Sequence, residues 1–207
     1  MAPFHRESEL MDLRQALRQI SEIHSHVSRG EVYRGYRAVP AALAGAIAVL
    51  AAAGQPWIVQ TSAPRTFVAY WVAIAALTAA AGGGRNLYNY LFYEDPQDRR
   101  RTRTVVGQFA PSLVAGALAT AAAAAAGDTA IALLPGLWTL LFGMGIFASR
   151  PYLPRLTGFV ALFYFAAGAL LLGLARSGAS LNPWGMGLSF GLGETFMGIV
   201  LYWSLER

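Results

Sequence analysis

The chain has 207 residues, 56% hydrophobic and only 13% charged, with a formal net charge of +5. A soluble domain carries about 25% charged residues. Here the charges cluster and leave several windows of about 18 or more residues almost free of them, the pattern of membrane spans rather than of a soluble core. No cysteine is present and all 16 basic residues are arginine, which excludes disulfide frameworks, thiolate metal sites, cysteine nucleophiles and lysine-based Schiff-base or P-loop chemistry.

The first thirty residues are polar and charged, with no apolar stretch of the kind a secretory signal needs. Residues 1–37 read as a cytoplasmic amphipathic helix and a juxtamembrane segment. Over 7–28, Leu10, Leu13, Leu17, Ile20, His24 and Val27 recur at spacings of three and four, which makes one apolar helical stripe. The stripe is too short to require a coiled coil, so packing on the protein's own cytoplasmic surface or on a partner is expected. His5, His24 and His26 all fall in this segment. His24 and His26 point to different sides of a helix and cannot share a metal without distortion. No histidine lies in a span where it could hold a buried haem, so neither metal nor cofactor is expected.

Residues 38–207 read as a six-helix transmembrane domain, and the fold class is an all-α integral membrane protein. The spans lie at roughly 38–54, 67–84, 105–126, 129–148, 155–175 and 184–204. Turn residues separate them: Gly54-Gln55-Pro56, Gly127-Asp128, Pro151 with Pro154, and Asn182-Pro183. The segment 85–104 is the cytoplasmic loop between spans two and three. The triplet Gly82-Gly83-Gly84 before it lacks the spacing of a phosphate-binding loop, and a kink or close helix approach is expected there. The aromatic run Tyr88 to Tyr93 then serves as an interfacial anchor and Asp98 as a cap for the next helix.

Arginine placement orients the bundle. With the N-terminus inside, 14 of the 16 arginines are cytoplasmic and only Arg65 and Arg176 are outside, a strong positive-inside bias. Both termini are then cytoplasmic and the expected location is the bacterial inner membrane. Trp57 and Trp184 mark the outer interface, and Tyr152 and Trp203 the inner one. Arg99, Arg100, Arg101 and Arg103 are placed to meet anionic lipid head groups. The net positive charge therefore needs no nucleic-acid partner, and no nucleic-acid-reading motif is present.

Glu194 stands near the midpoint of the sixth span with no basic residue near it in sequence. An ionisable group at that depth costs several kcal/mol and marks a functional site by default. Gly187, Gly191 and Gly198 share its helical face; Gly136 and Gly143 line span four beside Thr139, and Gly168 lines span five beside Tyr164. Small residues at these spacings allow close helix packing in lipid. Tyr164, Thr139 and Trp138 fall near the middle of their own spans, so antiparallel neighbours would bring them level with Glu194. A neutral carboxyl hydrogen-bonded to Tyr164, Thr139 or a backbone carbonyl is expected. Three roles are open to it: a structural contact, a proton- or cation-coupled site, and part of a ligand pocket.

Pro40-x-x-x-Ala44-Gly45-Ala46 matches Pro111-x-x-x-Ala115-Gly116-Ala117, but alanine and glycine are common enough here for chance to account for the match. The overall look resembles the small six-span bacterial inner-membrane proteins with a charged cytoplasmic N-terminal helix. That likeness has no diagnostic motif and transfers no activity. The acidic cluster Glu94, Asp95 and Asp98 stands among arginines without a histidine, so no enzyme is expected. The leading expectation is a non-enzymatic protein that binds a lipid, a membrane or cytoplasmic protein, or a second copy of itself, in a regulatory or assembly role. The alternative is a small oligomeric transporter or channel with Glu194 as its coupling or selectivity group.

Overall fold

The computed structural model describes residues 38–59, 63–92 and 96–206, with side chains described throughout except at 83–92, 96–98, 101 and 205–206. The amphipathic segment 7–28, the three histidines and Glu94 and Asp95 lie outside the described residues, as does the side chain of Arg101. Every regular element among the described residues is helical. Among the described residues six helical stretches are long and apolar enough to cross a membrane. The helices concerned are α1 (Ala38–Ile58), α2 (Pro64–Phe92), α3 (Pro96–Ala126), α4 (Leu134–Ser149), which flanking turns extend to Asp128–Tyr152, α5 (Thr157–Leu174) and α6 (Pro183–Leu201).

Local chemistry sets most of the ends. Proline opens α2, α3 and α6 and stands in the first turn of α4, where its missing N–H removes no helical bond. The Asn182 side chain caps α6 by accepting from the Trp184 amide at 2.9 Å. Gly127, with φ of 107°, lets the chain leave α3 and enter the single turn Asp128–Ile131; a side chain there would strain the backbone. Gly178, with φ of 71°, does the same between the 3-10 turns that join α5 to α6. Ser180 ties that connection down by donating to the Ala132 carbonyl at 2.7 Å.

The segment 85–104 is not an extended loop. α2 runs on to Phe92 and α3 starts at Pro96, so helix covers most of it. Asp98 therefore lies inside the first turn of α3 and not at its cap. The glycine triplet does not end α2 either, and a side chain at Gly82 would meet nothing within 4 Å, so no close approach occurs at that residue.

Packing divides the six helices unequally. Half of the apolar windows that contain α4 and α6 is buried, against 17% for α2 and 6% for α3. The core therefore sits among α1, α4, α5 and α6. It is built around Val160, Ala161, Tyr164, Ile146, Met197 and Leu201, while α2 and α3 lie at its edge. Two antiparallel pairs form the centre, and glycine makes both. In the α1–α6 pair, a Cβ on Gly45 would fall 2.8 Å from the Gly191 carbonyl, and one on Gly198 would fall 3.1 Å from the Ala38 carbonyl. In the α4–α5 pair, Gly136 and Gly168 face each other, each Cβ falling within 3.0 Å of the other's carbonyl oxygen.

Among the described residues the buried polar side chains all find hydrogen-bond partners. Buried Gln55 on α1 accepts from the Trp71 indole N–H of α2 at 2.8 Å, and the Tyr70 hydroxyl donates to the Ala51 carbonyl at 2.7 Å. These two bonds fasten the otherwise lightly packed α2. Replacing Trp71 by Phe should strand the Gln55 amide oxygen and lower stability by about 1 kcal/mol. Unfolding in mild detergent measures this, and an unchanged midpoint would mean that the bond contributes nothing net.

Candidate functional site

The small residues that sequence periodicity marks on α4, α5 and α6 are used for packing. Those on the edge helices leave space instead. Ala41, Ala44 and Ala48 of α1, Ala75, Thr78, Ala79 and Gly82 of α2, and Ser112, Gly116 and Ala117 of α3 surround a cavity of about 550 Å³. Its lining runs along α2 from Trp71 to Gly82, about 16 Å at a helical rise of ~1.5 Å per residue. The groove is therefore elongated along the helix axes. Large aromatic side chains complete its walls: Trp71 from α2, Phe109 from α3, Trp138 and Phe142 from α4, and Phe190 from α6.

Among the described residues Glu194 is the one ionisable side chain in this lining. It is half-buried, and the Tyr164 hydroxyl donates to its Oε1 at 3.3 Å. Tyr164 is fully buried and its ring is caged by aromatics. Phe142, Phe190 and Phe163 stand with ring centroids at 5.1, 5.6 and 5.7 Å, within the range of favourable tilted and edge contacts. Phe142 and Phe190 belong at once to this cage and to the groove wall. A rigid phenol thus fixes the carboxyl from behind while the groove opens in front of it.

Two glycines make this arrangement fit. A Cβ at Gly143 would lie 2.8 Å from the Tyr164 Cβ, and one at Gly193 would fall on Cζ and the hydroxyl of Tyr164. Gly193 is thus the seat of the tyrosine beside Glu194. No sequence signal separates it from the other glycines of α6, because the residue it accommodates is 29 positions away (193 − 164).

The other sequence-marked groups go to different places. Trp138 lines the groove and donates its indole N–H to Thr120 at 2.9 Å. Thr139 is fully buried, but its hydroxyl donates to the Pro135 carbonyl of its own helix at 2.7 Å and is engaged there rather than at Glu194. Gly187 and Gly191 lie against Ala52 and Val49 of α1. Arg99, Arg100 and Arg103 are exposed in the first turns of α3. The matching Gly45 and Gly116 segments play unrelated parts: Gly45 is a helix-contact residue, whereas Gly116 lines the groove with only ordinary contacts to Trp138 and Leu141 before it. The small-residue faces of α2 and α3, at Ala75, Thr78, Ala79 and Gly82 and at Ser112 and Gly116, carry the same spacing of three and four. That periodicity is the signal through which the groove could have been found.

Hydroxyls around the groove are mostly occupied. Thr78 donates to the Ile74 carbonyl at 2.8 Å and Thr120 to the Gly116 carbonyl at 2.7 Å. No group of histidines and carboxylates among the described residues is placed to hold a metal ion. Comparison with known proteins matches no family model, no curated protein and no solved structure.

Proposed function

We propose that the chain is a polytopic, non-enzymatic membrane protein that holds an apolar or amphiphilic molecule from the bilayer in the Glu194 groove, in a regulatory or assembly role. The single observation that carries this reading is the cavity itself: about 550 Å³ with almost wholly apolar walls, within the size range of small-molecule sites. A carboxyl serving only as a contact between helices would need no such space before it. Placement in the bilayer is supported by the six apolar helices and by exposed aromatics at both ends. Trp57 and Trp184 lie at one end of the α1–α6 pair and Tyr202 and Trp203 at the other, as interfacial residues do. The arginine distribution supports a bacterial inner-membrane location with both termini cytoplasmic and Arg99, Arg100 and Arg103 at anionic head groups.

Gly116→Leu tests the groove. A Cβ at Gly116 meets only Trp138 Cδ1 at 3.9 Å and Leu141 Cδ1 at 4.0 Å, both ordinary contacts, so the larger side chain extends into the cavity without displacing backbone. The wild-type chain purified in mild detergent should retain about one apolar molecule per chain by native mass spectrometry. The variant should fold and lose it. Equal retention would remove the groove as the binding site.

A second reading, transport with Glu194 as the coupling group, draws on the position of that carboxyl on the groove wall near the middle of α6. Flux into liposomes by wild type and Glu194→Gln decides it. Identical flux, or none for any ion tried, sinks transport and leaves binding.

A further inference from the structure

The groove wall specifies its occupant more narrowly than an apolar molecule. Among the described residues that line it the only ionisable group is the Glu194 carboxyl, and α5 presents the Tyr164 hydroxyl to it. Among the described side chains no arginine reaches the lining, so a phosphate or carboxylate head group beside Glu194 would meet a carboxyl with no described cation to neutralise it. Nor does the wall suit a sugar or other multiply hydrogen-bonding head group. The indole N–H groups of Trp71 and Trp138 and the hydroxyls of Thr78 and Thr120 are already engaged within the protein. Of the described lining this leaves the Ser112 hydroxyl, too little for a head group that needs several hydrogen bonds, and a buried polar ligand group left unpaired is unfavourable.

One class of molecule meets all of these conditions: an apolar, preferably aromatic body carrying a single positive charge and no need for hydrogen bonds. Its charge pairs with Glu194, and its body lies on Phe142, Phe190 and Trp138. Aromatic faces attract cations as well as apolar groups, most strongly where water is excluded. We infer that the Glu194 groove is a binding site for lipophilic organic monocations such as quaternary ammonium or phosphonium compounds. This rests on the proposed function, since it takes the groove as a ligand site, and adds the charge of the ligand. A carboxyl that is protonated before binding gives that proton to solvent, leaving a neutral pair in the groove.

Equilibrium dialysis of the full chain in neutral maltoside micelles tests it with two probes of similar shape, tetraphenylphosphonium and the uncharged triphenylphosphine oxide, with empty micelles as background. The expected result is saturable binding of about one tetraphenylphosphonium per chain, at least tenfold tighter than the oxide. Glu194→Gln should weaken the cation at least tenfold and change the oxide less than twofold, while Glu194→Asp keeps the preference for the cation. The comparison of the two probes on the wild-type chain stands even where Glu194→Gln does not fold. Equal affinity for both probes, with both displaced by Gly116→Leu, would overturn the charge selectivity and leave the groove as a binding site. Absence of saturable binding for either probe would overturn both readings.

Discussion

Tyr164→Ala is expected to destabilise the bundle by about 3–5 kcal/mol, the range for truncating a large buried aromatic. The ring is fully buried and touches Phe142, Phe163 and Phe190, so its removal opens a cavity among side chains from three helices. Tyr164→Phe separates the hydroxyl from the ring. It should cost only about 0.6 kcal/mol, the mean for side-chain hydrogen bonds between membrane helices, because the 3.3 Å contact with Glu194 is long for an O–H donor. Reversible unfolding in mixed micelles measures both. A Phe variant as unstable as the Ala variant would show that the hydroxyl, not the ring, holds the centre together.

The second large effect is expected at the contact between α4 and α5. Gly136→Ala and Gly168→Ala should each lower stability by about 1–3 kcal/mol, as overpacking does. At Gly136 the added Cβ would sit 2.8 Å from the Leu172 amide nitrogen and 2.9 Å from the Gly168 carbonyl. Neither is the end of a flexible side chain, so the helices must move apart. The two substitutions strain the same contact, so together they should cost less than their sum. Gly173→Ala on α5 is the control. A Cβ there meets nothing within 4 Å, and the change should be neutral or stabilise by up to about 1 kcal/mol through helix propensity. Equal losses at Gly168 and Gly173 would mean that helix flexibility, and not close approach, is what α5 needs from glycine.

Sequence and structure part company at identifiable residues. Hydropathy places all six apolar windows to within a few residues, because a span must be both long and uniformly apolar. Asn182-Pro183 and Gly127 mark real helix ends, whereas Gly54-Gln55-Pro56, expected as a turn, lies within the last turns of α1, where Gln55 is buried against Trp71. The segment 85–104 falls outside the apolar windows because its charges lower hydropathy without lowering helix formation, and both flanking helices run into it. Arginine is a good helix former, so α3 continues past the apolar window at its N-terminal side. Depth matching placed Tyr164, Thr139 and Trp138 level with Glu194 but could not tell which of them turns toward it. Rotation of each helix about its axis decides that. It puts the Tyr164 hydroxyl on the carboxyl and leaves Thr139 bonded to Pro135.

From the sequence alone came the helix count, the helix ends at Gly127 and Asn182-Pro183, the arginine asymmetry and the isolation of Glu194 as a single carboxyl in an apolar span. These depend on composition and on residues near one another in the chain. What surrounds that carboxyl was decided by tertiary structure alone. Whether a stripe of alanine and glycine closes a helix contact, as on α1 and α6, or leaves a groove, as on α2 and α3, depends on how near the next helix lies. Close packing comes from glycines that meet across an interface, and a cavity comes from small residues held apart by large aromatics such as Trp71, Trp138 and Phe142. The same residue types serve both purposes, so only the packed arrangement distinguishes them.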